Sequence, residues 1–485
     1  MKKFFLGMVA VVCALGVALI ARAVRFSSRQ IAPPPAATFT FDRDGALRRL
    51  AKAIQFRTVS STESLAASAP EFEHLHRFLA GAFPRIHQRL KKEIVGGRSL
   101  IYEWKGSDDQ LRPALLMAHM DVVPVDPATE PSWRHPPFAG EIAGGFIWGR
   151  GAMDDKASLM GMLEAAEQLL AVGFQPRRTF LFAFGHDEEV GGGNGAAKIA
   201  ALLGSRKIEL EFVLDEGSNI LNGIIPGLAR PVALVGIAEK GYLSLKLSAQ
   251  APGGHSSMPP DDAAIFTLSR ALQKLAASPF APRIAGATGR MLEFLGPEMA
   301  WTQRIALANL WLFEPLVVRQ LASSPITNAA IRTTIAPTIF TAGVQENVLP
   351  TAASAVINLR ILPGDTIASA TRQVRKTIAD PRLTITPLPL RMEPSAVSDT
   401  DAATFKLLQR TIRQIAPDAI VAPGLLVAAT DSRHYAGLSK NIYRFLPLVI
   451  GPADAERYHG IDERISIEDY ERLIRFYAQI IRNFS

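Results

Sequence analysis

From about residue 41 onward, short apolar runs alternate with segments in which apolar residues recur every three or four positions. The first pattern is typical of strands buried in a sheet, and the second of helices that pack on one. Strands are predicted at 114–123, 179–184 and 211–214, and helices at 154–170 and 196–203. This alternation predicts an α/β fold with an open sheet flanked by helices.

Between residues 241 and 392 the order of the predicted elements changes. They are a strand at 242–250, a helix at 262–275, strands at 339–344 and 353–362, a helix at 367–378 and a strand at 383–390. This β-α-β-β-α-β order is that of a ferredoxin-like, four-stranded α+β layer. A helix-rich insert lies between its first helix and its second strand. We therefore predict a second domain, 241–392, inserted into a first one that comprises 41–240 and 393–485.

The N-terminus has the pattern of an export signal. Two lysines precede an uncharged apolar run at 4–20, and arginines follow it. The tripeptide Ala-Arg-Ala at 21–23 resembles a signal-peptide cleavage site, whereas the length of the apolar run favours an uncleaved membrane anchor. We expect residues 1–25 to be a signal peptide or anchor and the proline-rich residues 26–40 to be a linker. The chain is then membrane-anchored or exported to the periplasm or the extracellular space.

Composition narrows the possible classes of protein. The chain has 485 residues, of which 48% are hydrophobic and 20% charged, and this is typical of a globular protein with more than one domain. The net charge is +8, but no run of basic residues with interleaved aromatic residues indicates a nucleic-acid partner. Cys13 is the only cysteine, which excludes an intrachain disulfide and a thiolate metal site. Any metal must therefore be bound by His, Asp or Glu.

Candidate metal ligands follow the predicted strands. His119 and Asp121 stand at the end of the first strand, and a period of two places them on one face, where the carboxylate can accept from the imidazole. Asp154 follows a glycine-rich turn at the start of a helix, where it could cap the helix or bridge two cations. Asp215 follows the third strand, and His459 precedes the last helix.

Glu188 and Glu189 directly follow the second strand. At a buried strand end, two ionised carboxylates need a cation or a raised pKa. One could bind a metal while the other takes a proton from metal-bound water. Ligands bind at the carboxyl ends of strands in such sheets, and two histidines with three carboxylates suit two zinc ions that share one aspartate. Each residue taken singly also has a purely structural interpretation.

Two other hydrolase classes lack their motifs in this chain. There is no H-E-x-x-H pair, which excludes thermolysin-like chemistry. The absence of G-x-S-x-G counts against a serine hydrolase.

Six short motifs, taken in order, carry a family resemblance: H-M-D, G-A-M-D-D-K, D-E-E-V-G-G, L-D-E-G, P-G-G-H-S-S and Y-H-G. They resemble the ArgE/DapE/aminoacylase/carboxypeptidase G family of two-zinc hydrolases, and the likeness extends from about residue 41 to the end. Asp187-Glu188-Glu189, the segment 430–435, the N-terminal apolar run and the long insert are similar to the carboxypeptidase S branch. The resemblance implies a zinc-peptidase-like catalytic domain with a mixed sheet, and a lid domain inserted in it.

The resemblance also implies a division of the ligands between two zinc ions, for which Co²⁺ or Mn²⁺ could substitute. Asp154 would bridge both metals. His119 and Asp215 would complete one site, and Glu189 and His459 the other. The peptide bond that follows Asp154 would be cis.

Further roles follow from the same resemblance. Glu188 would act as general base and then as general acid, and Asp121 would orient the metal-binding histidine. His255 of the lid would stabilise the oxyanion, in some relatives from a partner subunit. Arg360 and Asn347 would contact the substrate carboxylate, and a guanidinium suits that task. A turn histidine and an exposed strand arginine remain alternative interpretations of His255 and Arg360.

The sequence thus predicts a zinc-dependent hydrolase that cleaves an amide bond adjacent to a free carboxylate, in an N-acyl-amino acid or a short peptide. The alternatives are a two-zinc aminopeptidase, which would have little use for Arg360, and an inactive membrane-tethered binding protein. The lid could also form a homodimer contact, and the sequence does not decide the oligomeric state. The apolar residues of the insert, 301 and 310–313, could form a lipophilic pocket, a membrane-facing surface, lid core or a dimer contact.

Overall fold

The alternation of strands and helices is present in the computed structural model, which describes residues 2–61 and 67–485. The helices are α1 Lys2–Arg25, α2 Arg43–Ile54, α3 Ala69–Ala82, α4 Pro84–Arg89, α5 Lys156–Ala171, α6 Ala196–Ser205, α7 Ala264–Ala277, α8 Gly286–Leu295, α9 Trp301–Ala308, α10 Leu310–Leu321, α11 Pro325–Ile331, α12 Ile367–Ile378, α13 Ala403–Ile415 and α14 Ile467–Phe484. The strands are β1 Lys91–Val95, β2 Ser99–Trp104, β3 Ala114–His119, β4 Glu141–Ala143, β5 Phe146–Trp148, β6 Phe180–Gly185, β7 Phe212–Asp215, β8 Ile220–Leu221, β9 Val232–Glu239, β10 Gly241–Gln250, β11 Gly254–His255, β12 Thr334–Ala342, β13 Val348–Leu349, β14 Ala352–Ile361, β15 Leu383–Met392, β16 Ile420–Leu426, β17 Ile442–Arg444, β18 Val449–Ile450 and β19 Arg464–Ser466.

A large mixed sheet forms the centre of the molecule, with the order β1-β2-β6-β3-β7-β17-β9-β8-β18 and with β16 paired to β9. Strands β6, β3, β7 and β17 are parallel, and β3, β6 and β7 are buried along their whole length. On β3, Leu116 packs with α5 and α14 on one face, while Leu115 and Met117 pack with α6 on the other. Burial on both faces explains the uninterrupted apolar runs in the sequence. The carboxyl ends of β3, β6 and β7 therefore meet at one edge.

A second, antiparallel sheet has the order β12-β14-β10-β15. Together with α7 and α12 it has the β-α-β-β-α-β connectivity and a hydrophobic core of its own, separate from that of the large sheet. Strand β14 alternates between buried and half-buried positions, as expected for a sheet with helices on one face only.

The helical insert, α8–α11, lies between α7 and β12 in sequence but does not pack solely on the small sheet. Ala287, Phe294 and Leu295 of α8 belong to the core of the large sheet. The chain therefore returns to the large core within the segment 241–392 and then leaves it again for β12.

Residues 26–40 contain no helix or strand, yet they are bonded to the large sheet and its helices. The Gln30 amide donates to the Val421 carbonyl oxygen at 2.9 Å and accepts from the Val421 N–H at 2.8 Å. The Gln409 side chain donates to the Arg29 carbonyl oxygen at 2.9 Å. This segment, predicted as a linker, is an extended strap on the folded body. Helix α1, which precedes it, is long and apolar enough to cross a membrane.

Candidate metal centre

The polar residues of five of the six motifs, all but P-G-G-H-S-S, converge on the edge where the parallel strands end. His119 is the last residue of β3, and Glu188 and Glu189 form a short turn after β6. Asp154 lies in the loop before α5, whose first residue is Lys156. His459 lies in the loop before β19. The predicted positions at strand ends therefore correspond to one place in the fold.

Asp154 is at the centre of this cluster. The Nε2 atom of His119 lies 2.8 Å from its Oδ1, and the Nε2 atom of His459 lies 3.0 Å from its Oδ2. His459 Nε2 is also 3.3 Å from Glu189 Oε2. Two groups of three residues, whose potential ligand atoms lie within 4.8 Å of one another, share this aspartate: His119-Asp154-Glu216 and Asp154-Glu189-His459. The Asp154–Asp155 peptide is cis.

The structure places one predicted ligand differently from the expectation. Glu216, and not Asp215, joins His119 and Asp154. The Asp215 carboxylate accepts instead from the N–H groups of Glu216, at 3.0 Å, and Ser432, at 2.8 Å. Successive side chains of a strand point to opposite faces, so a choice wrong by one residue selects the wrong face. Both residues belong to the L-D-E-G motif, which alone does not decide between them.

Asp121 contacts both His119 and the glutamate pair. His119 Nδ1 lies 3.0 Å from the backbone carbonyl oxygen of Asp121 and 3.4 Å from its carboxylate Oδ1. The carboxylate accepts from the N–H groups of Glu188, at 3.2 Å, and Glu189, at 3.1 Å. Asp121 thus fixes the turn that carries both glutamates, in addition to the histidine orientation expected from the sequence.

Burial dominates the electrostatics of the carboxylates. It raises the pKa of Glu188 well above its usual range, and the nearby charge of Asp431 acts in the same direction. Burial also raises the pKa values of Glu189 and Glu216. By contrast, hydrogen bonds to Asp154 and Glu189 raise the pKa of His459 to about 10. Ionisation of these carboxylates together is therefore unfavourable without a compensating positive charge, and a bound cation would supply one.

The donor set suits a metal of the zinc type. It consists of two imidazole nitrogens and several carboxylate oxygens, the ligands that this class of ion takes when thiolates are absent. Glu189 Oε1 is buried and has no hydrogen-bond partner within 2–61 and 67–485. A bound cation would satisfy this atom, so the residues present fit the implied metal.

A second layer of side chains holds the ligand loops in place, and we did not predict it from the sequence. Glu463 is fully buried and accepts from the N–H groups of Met153, at 2.9 Å, and Asp154, at 3.3 Å. It also pairs with Arg150 at 2.6 Å, and Arg150 donates to the carbonyl oxygen of His459 at 3.0 Å. Glu463 stands four residues after His459 in the sequence, and this spacing is the one signal that could have identified it.

A glycine in the run after Glu189 allows a close approach of the backbone to Asp431. Gly192 has φ +68, and a Cβ atom there would lie 1.9 Å from Asp431 Oδ1. Asp431 is buried beside the cluster, and burial raises its pKa well above the usual range. The glycine run thus lets this carboxylate lie beside the glutamate turn.

The three predicted lid residues lie apart from this cluster. His255 is exposed on β11, with its Nδ1 2.8 Å from Ser257 Oγ, and the pairing of β11 with β13 brings Asn347 near it. The Arg360 guanidinium lies over the Tyr242 ring at 4.8 Å. Within the described ranges, no hydrogen bond or ion pair joins the three to the metal ligands.

Comparisons with known proteins identify the family of this chain. Residues 115–483 match the model of Peptidase family M20/M25/M40. The chain is 45% identical to the Probable carboxypeptidase S-like 2 of Dictyostelium discoideum over 475 residues, covering 96% of this chain and 91% of that protein. It is 43% identical to the N-fatty-acyl-amino acid synthase/hydrolase PM20D1 of Mus musculus over 441 residues, covering 89% and 86%.

A solved structure shows the same fold. The M20 family metallo-carboxypeptidase Sso-CP2 from Sulfolobus solfataricus superposes with a TM-score of 0.63 at 16% identity, covering 90% of this chain and 99% of that one.

Replacing Glu216 should separate its role from that of Asp215. Glu216→Gln is expected to lower the bound metal by about one ion per chain, because it removes an anionic ligand. Asp215→Asn is expected to keep the metal but to lower the free energy of unfolding by about 1–3 kcal/mol, because its carboxylate serves buried N–H groups. Metal analysis and denaturant unfolding measure the two effects, with the exposed Glu209→Gln as control. If Asp215→Asn loses metal and Glu216→Gln keeps it, Asp215 and not Glu216 is the ligand.

Metal binding at pH 7 should release a proton from His459. With a pKa of about 10, its imidazole is protonated in the metal-free chain, and a metal takes the same nitrogen. Because this pKa is raised above the unfolded value of about 6.5, the imidazolium stabilises the metal-free fold below that pH, and the contribution is lost as the pH rises through 10.

Calorimetric titration with zinc in buffers of different ionisation enthalpy measures the release. Zinc affinity should rise with pH between 6 and 8, and His459→Gln should release fewer protons. Heats that do not depend on the buffer would contradict the expectation.

Proposed function

The chain belongs to peptidase family M20/M25/M40, and from this premise we propose that it is a two-zinc hydrolase that cleaves an amide bond adjacent to a free carboxylate. One observation carries the proposal: two groups of three potential ligands share Asp154, and Glu188 stands beside them but belongs to neither group in the described part of the chain. Bound zinc supplies Lewis-acid polarisation of the carbonyl and lowers the pKa of water.

We assign His119 and Glu216 to one ion and Glu189 and His459 to the other, with Asp154 shared. The approach of each imidazole to a different oxygen of Asp154 supports this division. Co²⁺ or Mn²⁺ would be accepted by the same oxygen and nitrogen donors.

Glu188 is the proposed general base. Its turn is fixed by two backbone hydrogen bonds to Asp121, so its carboxylate is held in place before substrate binds. A raised pKa brings a carboxylate closer to the pH at which it can both take and return a proton. Glu188 would take the proton of the attacking water and deliver it to the leaving amine.

Arg360 is the proposed partner of the substrate carboxylate, and Asn347, which lies near His255, is proposed as a second contact. Its guanidinium is half-buried, has no acidic partner within 2–61 and 67–485, and is packed on the ring of Tyr242. A desolvated guanidinium without an internal partner binds carboxylate strongly. His255, which is exposed, would reach the oxyanion when the lid closes or when a second copy presents it.

The proposed substrate class follows from the proposed contact between Arg360 and a carboxylate. An N-acyl-amino acid and the C-terminal residue of a short peptide both have a free carboxylate next to the amide bond that is cleaved. The relatives that are 43–45% identical carry names of both kinds. We propose that this chemistry operates outside the cytoplasm, with the ligands in a catalytic domain, 41–240 and 393–485, and the carboxylate contacts in a lid, 241–392.

Glu188→Gln is expected to abolish turnover by at least about 10³-fold in kcat while leaving bound metal unchanged, because the amide cannot accept the proton of the water. Steady-state kinetics and metal analysis of the same preparation test this. The exposed Glu209→Gln is the matched control and should keep full activity. Substantial activity in Glu188→Gln would refute the assignment of the base.

Arg360→Ala is expected to lower kcat/KM by about 10- to 100-fold on N-acyl-amino acids, because an ionic hydrogen bond to the carboxylate is lost. The corresponding N-acyl-amino acid amides lack that charge, so their slow turnover should not change. Arg372→Ala, on the exposed side of α12, is the control. A preference for unblocked peptides, with no effect of Arg360→Ala, would favour an aminopeptidase instead.

A further inference from the structure

The end of α1 is capped by a side chain of the helical insert. Arg304 of α9 donates to the carbonyl oxygens of Ala23, at 2.9 Å, and Phe26, at 2.6 Å. The last carbonyls of a helix have no partner within that helix, and a cation there is favoured by the helix dipole. The insert therefore completes the C-terminus of α1.

Further contacts fix the position of α1 against α9. Asn309, which is fully buried, donates to the carbonyl oxygen of Leu19 at 3.1 Å, and Arg22 donates to that of Ala308 at 3.3 Å. The Phe26 ring lies where any side chain at Gly296 would be, since a Cβ there would be 2.4 Å from the ring. Because the strap then binds Val421, the end of α1 has a fixed place on the folded body.

The same insert exposes large apolar side chains. Helices α9 and α10 contain no buried residue. Trp301 is 46% exposed, Trp311 61% and Leu316 60%. The other three tryptophans are at most 8% exposed. Adjacent exposed apolar groups of this size mark a contact surface. Trp301 and Trp311 thus lie outside the core of the lid.

Basic side chains accompany these apolar ones. Arg22 and Arg25 stand in the last turn of α1, Arg304 in α9 and Arg319 in the last turn of α10. Tryptophan and arginine at the ends of apolar helices are typical of the boundary between a membrane and water, where basic groups meet anionic headgroups.

We propose that α9 and α10 lie in the interface of an anionic lipid bilayer, beside the point where α1 leaves that bilayer. The interfacial face is formed by Trp301, Trp311, Leu312 and Leu316. A bilayer is its occupant, because α1 is continuous with this face through the Arg304 and Asn309 contacts and is itself apolar and unburied. A second copy of the chain on the same face would leave the apolar surface of α1 exposed to water. The proposal does not depend on the proposed catalysis.

Quenching of tryptophan emission by brominated lipids tests the proposal on the full chain. The protein is reconstituted into phosphatidylcholine–phosphatidylglycerol vesicles with bromine on the acyl chains. Emission should be quenched, and Trp311→Phe should remove about half of the quenchable part, because two of the five tryptophans are exposed on this face. The double variant Trp301→Phe/Trp311→Phe should show almost none. Unquenched emission in vesicle-bound protein would overturn the proposal.

Two further variants distinguish a folded body that is held on the membrane by α9 and α10 from one that is only tethered to it through α1. Arg304→Gln should leave the chain in the vesicles but reduce the quenching at least two-fold, because α1 is no longer capped by the insert. Val172→Trp, placed in the double variant, should remain unquenched because Val172 is exposed on the catalytic domain. If the tryptophan introduced at position 172 is quenched as strongly as the tryptophans of the original chain, the folded body has no defined orientation on the membrane, and the proposal is wrong.

Changing the lipid composition and measuring the oligomeric state give two further tests of the proposal. Vesicles of phosphatidylcholine alone should reduce the quenching, since the arginines lose their anionic partners. A vesicle-bound dimer whose tryptophans are shielded from bromine would show that a second copy covers the face, and would overturn the proposal.

Discussion

The burial of several carboxylates at one edge of a sheet is the constraint on which the rest of this structure depends. Asp154, Glu188, Glu189 and Glu216 meet where the parallel strands end, together with the imidazoles of His119 and His459. Such a concentration of charge in a poorly solvated place is unfavourable without cations and donated hydrogen bonds. The surrounding fold supplies the donors: backbone N–H groups bind Asp121, Asp215 and Glu463. The candidate metal centre and the loops that frame it are therefore one electrostatic unit.

Much of this arrangement is predictable from local sequence. The buried strands β3, β6 and β7 appear as apolar runs, and the helix at 367–378 begins and ends as predicted. The β-α-β-β-α-β order of the small sheet follows from the succession of periodicities. Ordered motifs then place His119, Asp154, Glu189 and His459 at the same edge. The limit of such reasoning is visible at Asp215 and Glu216, where two neighbouring acids follow a strand and only the twist of the turn decides which one faces the metal.

Other features depend on contacts between residues distant in sequence, which periodicity does not record. The strap at 26–40 is bound through backbone carbonyls and single amide side chains, so it has no apolar period to detect. Helix α8 lies among lid elements in sequence but packs on β16 because its apolar stripe fits the larger core. Glu463 and Arg150 are 313 residues apart, and their pairing becomes evident only when β19 joins β5.

The return of α8 to the large core has a mechanical consequence. The chain passes between the two cores four times instead of twice, and three of these junctions are bonded together. Lys240 donates to the carbonyl oxygens of Ala329 and Arg332, and Glu239 exchanges hydrogen bonds with Ser395. A small sheet attached to the large one at so many neighbouring points resists twisting and sliding against it, and rotation about one axis through the junctions is its least costly displacement. Any displacement of the small sheet would then follow a single arc, along which its residues, Arg360 among them, keep their positions relative to one another.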